Sequence, residues 1–356
     1  MDTVSLARDT PAADLLPTEE LTDCAQAVLR RDGRTLLSYG TGAGYSPLRE
    51  LIAEWFGVHP FRVVLTNGWL QGFSLLVGEN IMGRNIGVEC PMHDRAQKAL
   101  LKLGAAVMAV VIDEEGLGVD DFAGQITQYA RPPFVYTMPN FQNPTGWTMT
   151  LARRQRVLEI LQVENLINAE GTLLIENDSY GLTRFEGEPL PALFDLSGQT
   201  SVYSSSFSAT IAPGLRVGWF IVPERVAGSL IARANDTYIS PVLTSQAVCF
   251  EFLRRGSFEP HLVKLRSELK ARRDAMIGAL EKHFGGASWS RPEGGLFLWL
   301  TLPGYPDGRE ILKRAEGVTA VAGTEFGAVA SCLRLSFASA APDEIEAGIE
   351  RLAAAV

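Results

Sequence analysis

Between residues 63 and 223 the hydrophobic positions form short, nearly continuous runs, separated by longer stretches with apolar residues at helical spacing. VVLTNG (Val63 to Gly68), NIGVEC (Asn85 to Cys90), FVYTMPN (Phe134 to Asn140), TLLIEND (Thr172 to Asp178), SVYSSSF (Ser201 to Phe207) and RVGWFIVP (Arg216 to Pro223) read as strands. LARRQRVLEILQVENLINAEG (Leu151 to Gly171) reads as a helix closed by glycine. Apolar strands with helices between them predict an α/β fold, its mostly parallel sheet covered on both faces. Ligands collect at the carboxyl ends of such strands, where Asn67, Asn143, Asp178 and Ser206 to Ser208 supply polar groups.

After Ile239-Ser240-Pro241 the pattern changes. An arginine-rich helical stretch, roughly Leu243 to Phe284, precedes strand-like GLFLWLTL (Gly295 to Leu302) and CLRLSFA (Cys332 to Ala338). DEIEAGIERLAAAV, after Pro342, reads as a closing amphipathic helix. The expected division is an N-terminal segment, 1–40, joining a smaller α+β domain at 239–356, with a large domain at 41–238.

Composition narrows the function classes. The 356 residues are 46% hydrophobic and 21% charged, which excludes a disordered or fibrous chain. Lys+Arg 32 against Asp+Glu 41 gives a net charge of −9, an argument against nucleic acid as partner. A few arginines can still reverse the field inside a cleft. Only six of the 32 basic residues are lysine, leaving 32 − 6 = 26 arginines, and none of the six lies between Lys102 and Lys264. No apolar run approaches the roughly 18 to 20 residues of a membrane span. The start, MDTVSLARDTPAADLLP, lacks the apolar core of a signal peptide. These points make a cytoplasmic protein the expectation, with Cys24, Cys90, Cys249 and Cys332 as buried thiols and the sequons at Asn177 and Asn235 as chance matches. The histidines (His59, His93, His261, His283) are too dispersed to predict a metal site. GTGAG (Gly40 to Gly44) lacks the third glycine of a dinucleotide fingerprint, and G-x-S-x-G is absent.

The informative stretch is SSSFSATIAPGLRVGW, Ser204 to Trp219. Ser206, Ser208 and the Arg216 guanidinium together suit a phosphate dianion; a polar loop with a structural arginine is the equal alternative. This stretch resembles the lysine loop of fold-type I pyridoxal-phosphate enzymes, specifically class I/II aminotransferases near the 2-aminoadipate and kynurenine aminotransferases. Their pattern is S-F-S-K-T-x-A-P-G-L-R-x-G, and Ala209 stands where the family has its Schiff-base lysine. Other landmarks follow in family order: Tyr39 in LLSYGTGAGYSPLRE, Thr66-Asn-Gly-Trp-Leu-Gln-Gly72, Phe141-Gln-Asn-Pro-Thr-Gly146, Ile175-Glu-Asn-Asp-Ser-Tyr180 and Arg334 in LRLSFA.

The resemblance implies a three-layer, aminotransferase-like large domain binding pyridoxal 5'-phosphate, acting on an amino acid and working as a homodimer with shared active sites. It implies that Gly68 and Trp69 open the helix holding the phosphate with Ser206, Ser208 and Arg216, and that Tyr39 reaches the phosphate in the neighbouring subunit. It places Asn143 and Tyr180 at the phenolic oxygen, Asp178 at the pyridine nitrogen, and Arg334 on the substrate carboxylate, beside Asn143 and Trp69. At the position of a stacking tyrosine stands His93, which can stack or move protons. Trp69, where the family has a small residue, is expected either to wall the substrate side or to pack on its helix; Asp9 replaces a glycine of the capping segment.

Ala209 can neither anchor the cofactor nor shuttle a proton. Two origins fit: a deliberate Lys→Ala substitution that traps a cofactor–substrate adduct, favoured by the intact surrounding sites, or a natural loss. Transamination is the default activity implied. The runner-up is β/γ-elimination, γ-replacement or cyclisation of an unusual amino acid, with His93 as second acid/base. A third reading is a non-catalytic pyridoxal-phosphate- or amino-acid-binding domain. Regulators of that kind carry a basic DNA-binding segment, and none precedes Leu21.

Overall fold

The computed structural model describes residues 3–78, 81–128, 132–167, 172–305, 307–328 and 330–356. A short strand β1 (Val4–Ser5) is followed by β2 (Val63–Asn67), β3 (Asn85–Cys90), β4 (Ala106–Asp113), β5 (Gly116–Leu117), β6 (Phe134–Thr137), β7 (Leu173–Asn177), β8 (Val202–Ser206) and β9 (Val217–Ile221). Later come β10 (Ser288–Trp289), β11 (Phe297–Thr301), β12 (Val318–Thr319), β13 (Val321–Ala322) and β14 (Cys332–Ser336).

Eight strands make one sheet in the order β2-β9-β8-β7-β6-β3-β4-β5. The pairs β8–β7, β7–β6, β6–β3 and β3–β4 are parallel; β9 runs antiparallel between β2 and β8. Strands β7, β8 and β9 are buried along their whole length; in β7 this includes Glu176, which accepts from the Leu193 and Phe194 amides. The expected α/β architecture is therefore the one found. Strand β4 escaped the sequence pattern: its outer residues alternate exposed and buried, so it carries no continuous apolar run.

A second, antiparallel sheet has the order β10-β11-β14-β13, and β1 pairs in parallel with β12, tying the N-terminus to the C-terminal third. The arginine-rich stretch forms two helices, Leu243–Arg254 and Phe258–His283, broken at Gly256 with φ +73°. The helix Leu151–Ile167 forms as expected; Gly171, predicted to close it, lies outside the described residues. Among the described residues no helix is long and apolar enough to cross a membrane, and no cluster of His, Cys, Asp and Glu could hold a metal ion. All four cysteines are free, three of them buried; Cys90, the last residue of β3, is half-buried.

Candidate active site

Strand β8 ends at Ser206 and the chain returns as β9 after a tight turn. The Phe207 carbonyl accepts from Ile211 N (2.8 Å) and Ala212 N (3.1 Å), its amide donates to Val217 O (3.0 Å), and its ring lies 4.5 Å from Trp219. Ala209 rides this turn, buried, at the wall of a cavity of about 290 Å³. The cavity is also lined by Ser206, Ser208, Arg216, Trp69, His93 and Tyr180. No lysine lines it among the described residues.

Because β9 runs antiparallel to both neighbours, its first residues meet the last residues of β2 and β8. That brings Arg216 against Gly68, where any Cβ would collide with the guanidinium. Gly68 also has φ +83°, a conformation glycine adopts freely, and it caps the helix Trp69–Val77. The Arg216 Nη atoms make only long hydrogen bonds, to Pro213 O and Asn67 O (3.4 Å each), and no ion pair among the described residues. An uncommitted guanidinium, two hydroxyls and a helix N-terminus are together a setting that favours an anion.

The expected carboxylate does not face this cavity. Asp178 follows β7, and its two oxygens accept from Asn140 Nδ2 (2.8 Å) and Tyr203 OH (2.9 Å), away from the lining residues. Asn177 lines the cavity instead. The cause is strand alternation: successive side chains point to opposite faces, so moving the site residue from 178 to 177 reverses the face. The motif that contains Asn177 assigns it no role, and the uniformly buried LLIEN run shows no alternation that would single it out.

Asn143 is fully buried, accepting from Arg334 Nη1 (2.9 Å) and donating to Tyr180 OH (3.4 Å). Neither Asn143 nor Arg334 is among the lining residues; both stand behind Tyr180. Arg334 donates a second bond to Ala7 O (2.8 Å), stacks 4.3 Å from the Phe297 centroid, and leaves its buried Nε without a partner. The N-terminal segment thus crosses the arginine, and Asp9 and Thr10 line the cavity beside it. Trp69 lines the cavity, stacks on Phe73 of its own helix at 4.7 Å, and donates Nε1–H to Ser204 Oγ (2.8 Å). Tyr39 is 83% exposed and far from lining its own chain's cavity.

His93 lies at the cavity wall, 5.9 Å from Trp69, with Nδ1 buried and unpartnered. Burial lowers its pKa to about 4, with Asp94 opposing and Arg334 assisting, so the imidazole is neutral near pH 7. The unfolded chain therefore binds this proton between about pH 6.5 and pH 4 while the folded chain does not, and stability falls as pH drops through that window. The slope due to His93 approaches about 1.4 kcal/mol per pH unit. Urea unfolding at pH 7 and pH 5 should show His93→Phe losing part of that pH dependence; an unchanged slope would contradict a buried neutral ring.

Residues 12–352 match the family Aminotransferase class I and II. The chain belongs to this family. Aromatic-amino-acid aminotransferase 1 of Thermococcus litoralis is 32% identical over 371 residues, 99% of this chain and 87% of the relative. LysN, an α-aminoadipate aminotransferase from Thermus thermophilus crystallised with N-(5'-phosphopyridoxyl)-L-leucine, superposes with a TM-score of 0.93 at 31% identity, covering 99% of this chain and 92% of that one. The family likeness also reaches a regulator: the HTH-type transcriptional regulator YisV of Bacillus subtilis is 30% identical over 99% of this chain and 73% of its own length. In this member Ala209 and the amide of Asn177 stand at the cavity wall.

Proposed function

We propose that this class I/II aminotransferase homologue holds pyridoxal 5'-phosphate without a covalent bond, together with an α-amino acid, and does not turn the pair over as it stands. The observation that carries the reading is the division within the cavity: the anchoring groups are present and the reacting groups are replaced. Arg216, Ser206, Ser208 and the amides after Gly68 would hold the phosphate, Tyr180 and Asn143 the phenolic oxygen, and Trp69 and His93 the faces of the ring. When bound, the cofactor supplies an electron sink for the bonds around Cα of an amino acid. Arg334 would take the substrate carboxylate once its Nη2 leaves the Ala7 carbonyl, and its partnerless Nε–H is available to the same group.

Residue 209 supplies neither an amine nor a proton carrier, and Asn177 cannot hold a ring nitrogen protonated as a carboxylate does. A deliberate trap needs the lysine change alone. Two replacements in one cavity support the natural loss over the Lys→Ala substitution, and they bring the ligand-holding reading ahead of transamination. The likeness to a regulator supports the same order. Elimination or replacement chemistry remains the second reading, on the one ground that His93 stands at the cavity wall with a buried, unpartnered Nδ1. The exposed Tyr39 supports a homodimer in which it reaches the other subunit's phosphate.

Equilibrium dialysis against pyridoxal phosphate tests the reading. Saturable binding that is lost on gel filtration in denaturant, and weakened about tenfold or more by Arg216→Gln, is the expected result. Absence of binding at millimolar cofactor would overturn it.

A further inference from the structure

The amide of Asn177 has one orientation. Its Oδ1 accepts from the Ser179 backbone N–H (3.1 Å) and from Ser179 Oγ (2.6 Å). A backbone amide can only donate, so the acceptor it meets must be the oxygen, and the flipped amide is excluded. Nδ2 then points the other way and donates one hydrogen to Tyr136 OH at 3.0 Å, within a residue that is 1% exposed. Tyr136 is itself buried and packs against Phe73 and Trp69 (5.2 and 5.7 Å between centroids), so this clamp is part of the core. Nδ2 carries a second hydrogen, and Asn177 lines the cavity.

We infer that Asn177 is a fixed hydrogen-bond donor selecting an unprotonated heteroaromatic nitrogen, so that the cavity takes the pyridine form of its ligand rather than the pyridinium. This rests on the cofactor reading above and deepens it. A donor facing a ring nitrogen is satisfied only when that nitrogen offers its lone pair; a protonated nitrogen would set two N–H groups against each other. A buried donor left unmatched loses its own bond as well, which makes the discrimination larger than one hydrogen bond gained. Ser179 and Tyr136 are the positioning residues: without the Ser179 contacts the amide could turn and present its oxygen. The ring so held draws electrons less strongly than a pyridinium, in keeping with a site that retains its ligand instead of transforming it.

Two measurements on the full-length chain test this. Pyridoxal phosphate labelled with ¹⁵N in the ring, bound to the protein at pH 7.5, should give the solid-state shift of an unprotonated pyridine, and Asn177→Asp should move it to the protonated range. The N-methyl analogue of pyridoxal phosphate, permanently cationic and without a lone pair, should bind at least tenfold more weakly than pyridoxal phosphate itself, and Asn177→Asp should narrow that ratio. Ser179→Ala keeps the backbone N–H that orients the amide and should leave that ratio as it is. A protonated ¹⁵N shift in the unmodified protein, or equal binding of the two compounds, overturns the inference while leaving cofactor binding in place. Failure of pyridoxal phosphate to bind overturns both.

Discussion

Ala209→Lys is expected to turn a dialysable cofactor into one that borohydride fixes to the protein, with the added mass localised to the peptide containing residue 209. The turn that carries position 209 is built by Phe207 and by the strand pair, so a longer side chain there enters the cavity instead of displacing the core. The gain in reaction rate follows from what the lysine contributes. A positioned acid–base group is worth on the order of 10²–10⁴-fold. Lysine alone still faces the amide of Asn177, so Ala209→Lys with Asn177→Asp should exceed the product of the single changes, as groups acting as a unit do. Product analysis then separates the chemistries: a keto acid means transamination, and loss of a β- or γ-substituent means elimination. A double variant that folds, binds cofactor and alters no amino acid in a broad panel would remove the enzymatic ancestry from the functional reading of this cavity.

The largest effect on stability should come from Arg154→Met. Arg154 is fully buried and donates to Met149 O (3.0 Å), Pro191 O (2.9 Å), Pro139 O (3.2 Å) and Asn140 Oδ1 (2.7 Å). Three backbone carbonyls of the loop after β6 and of the Pro191 segment therefore share one side chain. Methionine fills most of the volume and satisfies none of them. Each buried acceptor left unsatisfied costs about 1–3 kcal/mol, so the loss is a large part of the roughly 5–15 kcal/mol that typically holds a protein folded. Urea unfolding should register it as a lower midpoint with an unchanged slope; a loss below about 1 kcal/mol would show that these carbonyls find other donors. Asn140 extends the network, since it also donates to Asp178 (2.8 Å), which in turn accepts from Tyr203 OH (2.9 Å).

The large sheet was legible because its central strands are buried on both faces and so read as apolar runs; β3 matches its expected span, Asn85 to Cys90, residue for residue. Strand β4 was not, because its exposed alternate positions hide it. In the cavity, Ser206, Ser208, Arg216, Trp69, His93, Tyr180 and Ala209 were all found by motif and all lie at the wall. Motif matching failed at Asp178, where a carboxylate one position away drew the assignment from the residue that strand alternation turns inward. Asn140, Tyr136 and Arg154 had no signal at all: each acts through contacts between residues far apart in the chain, and neither periodicity nor a local pattern records these.

The turn from Phe207 to Arg216 has one further consequence. Its backbone hydrogen bonds run through Phe207, Ala212 and Pro213, its candidate ligand-holding groups sit at its two ends, and the side chain at 209 takes part in neither duty. Grip and reactivity are therefore separable at a single codon. A lineage carrying this loop can abandon chemistry in one step, keep a shaped receptacle for the same small molecules, and leave folding undisturbed. The converse also holds: a lysine introduced at 209 adds a reacting group without touching the hydrogen bonds that hold the turn.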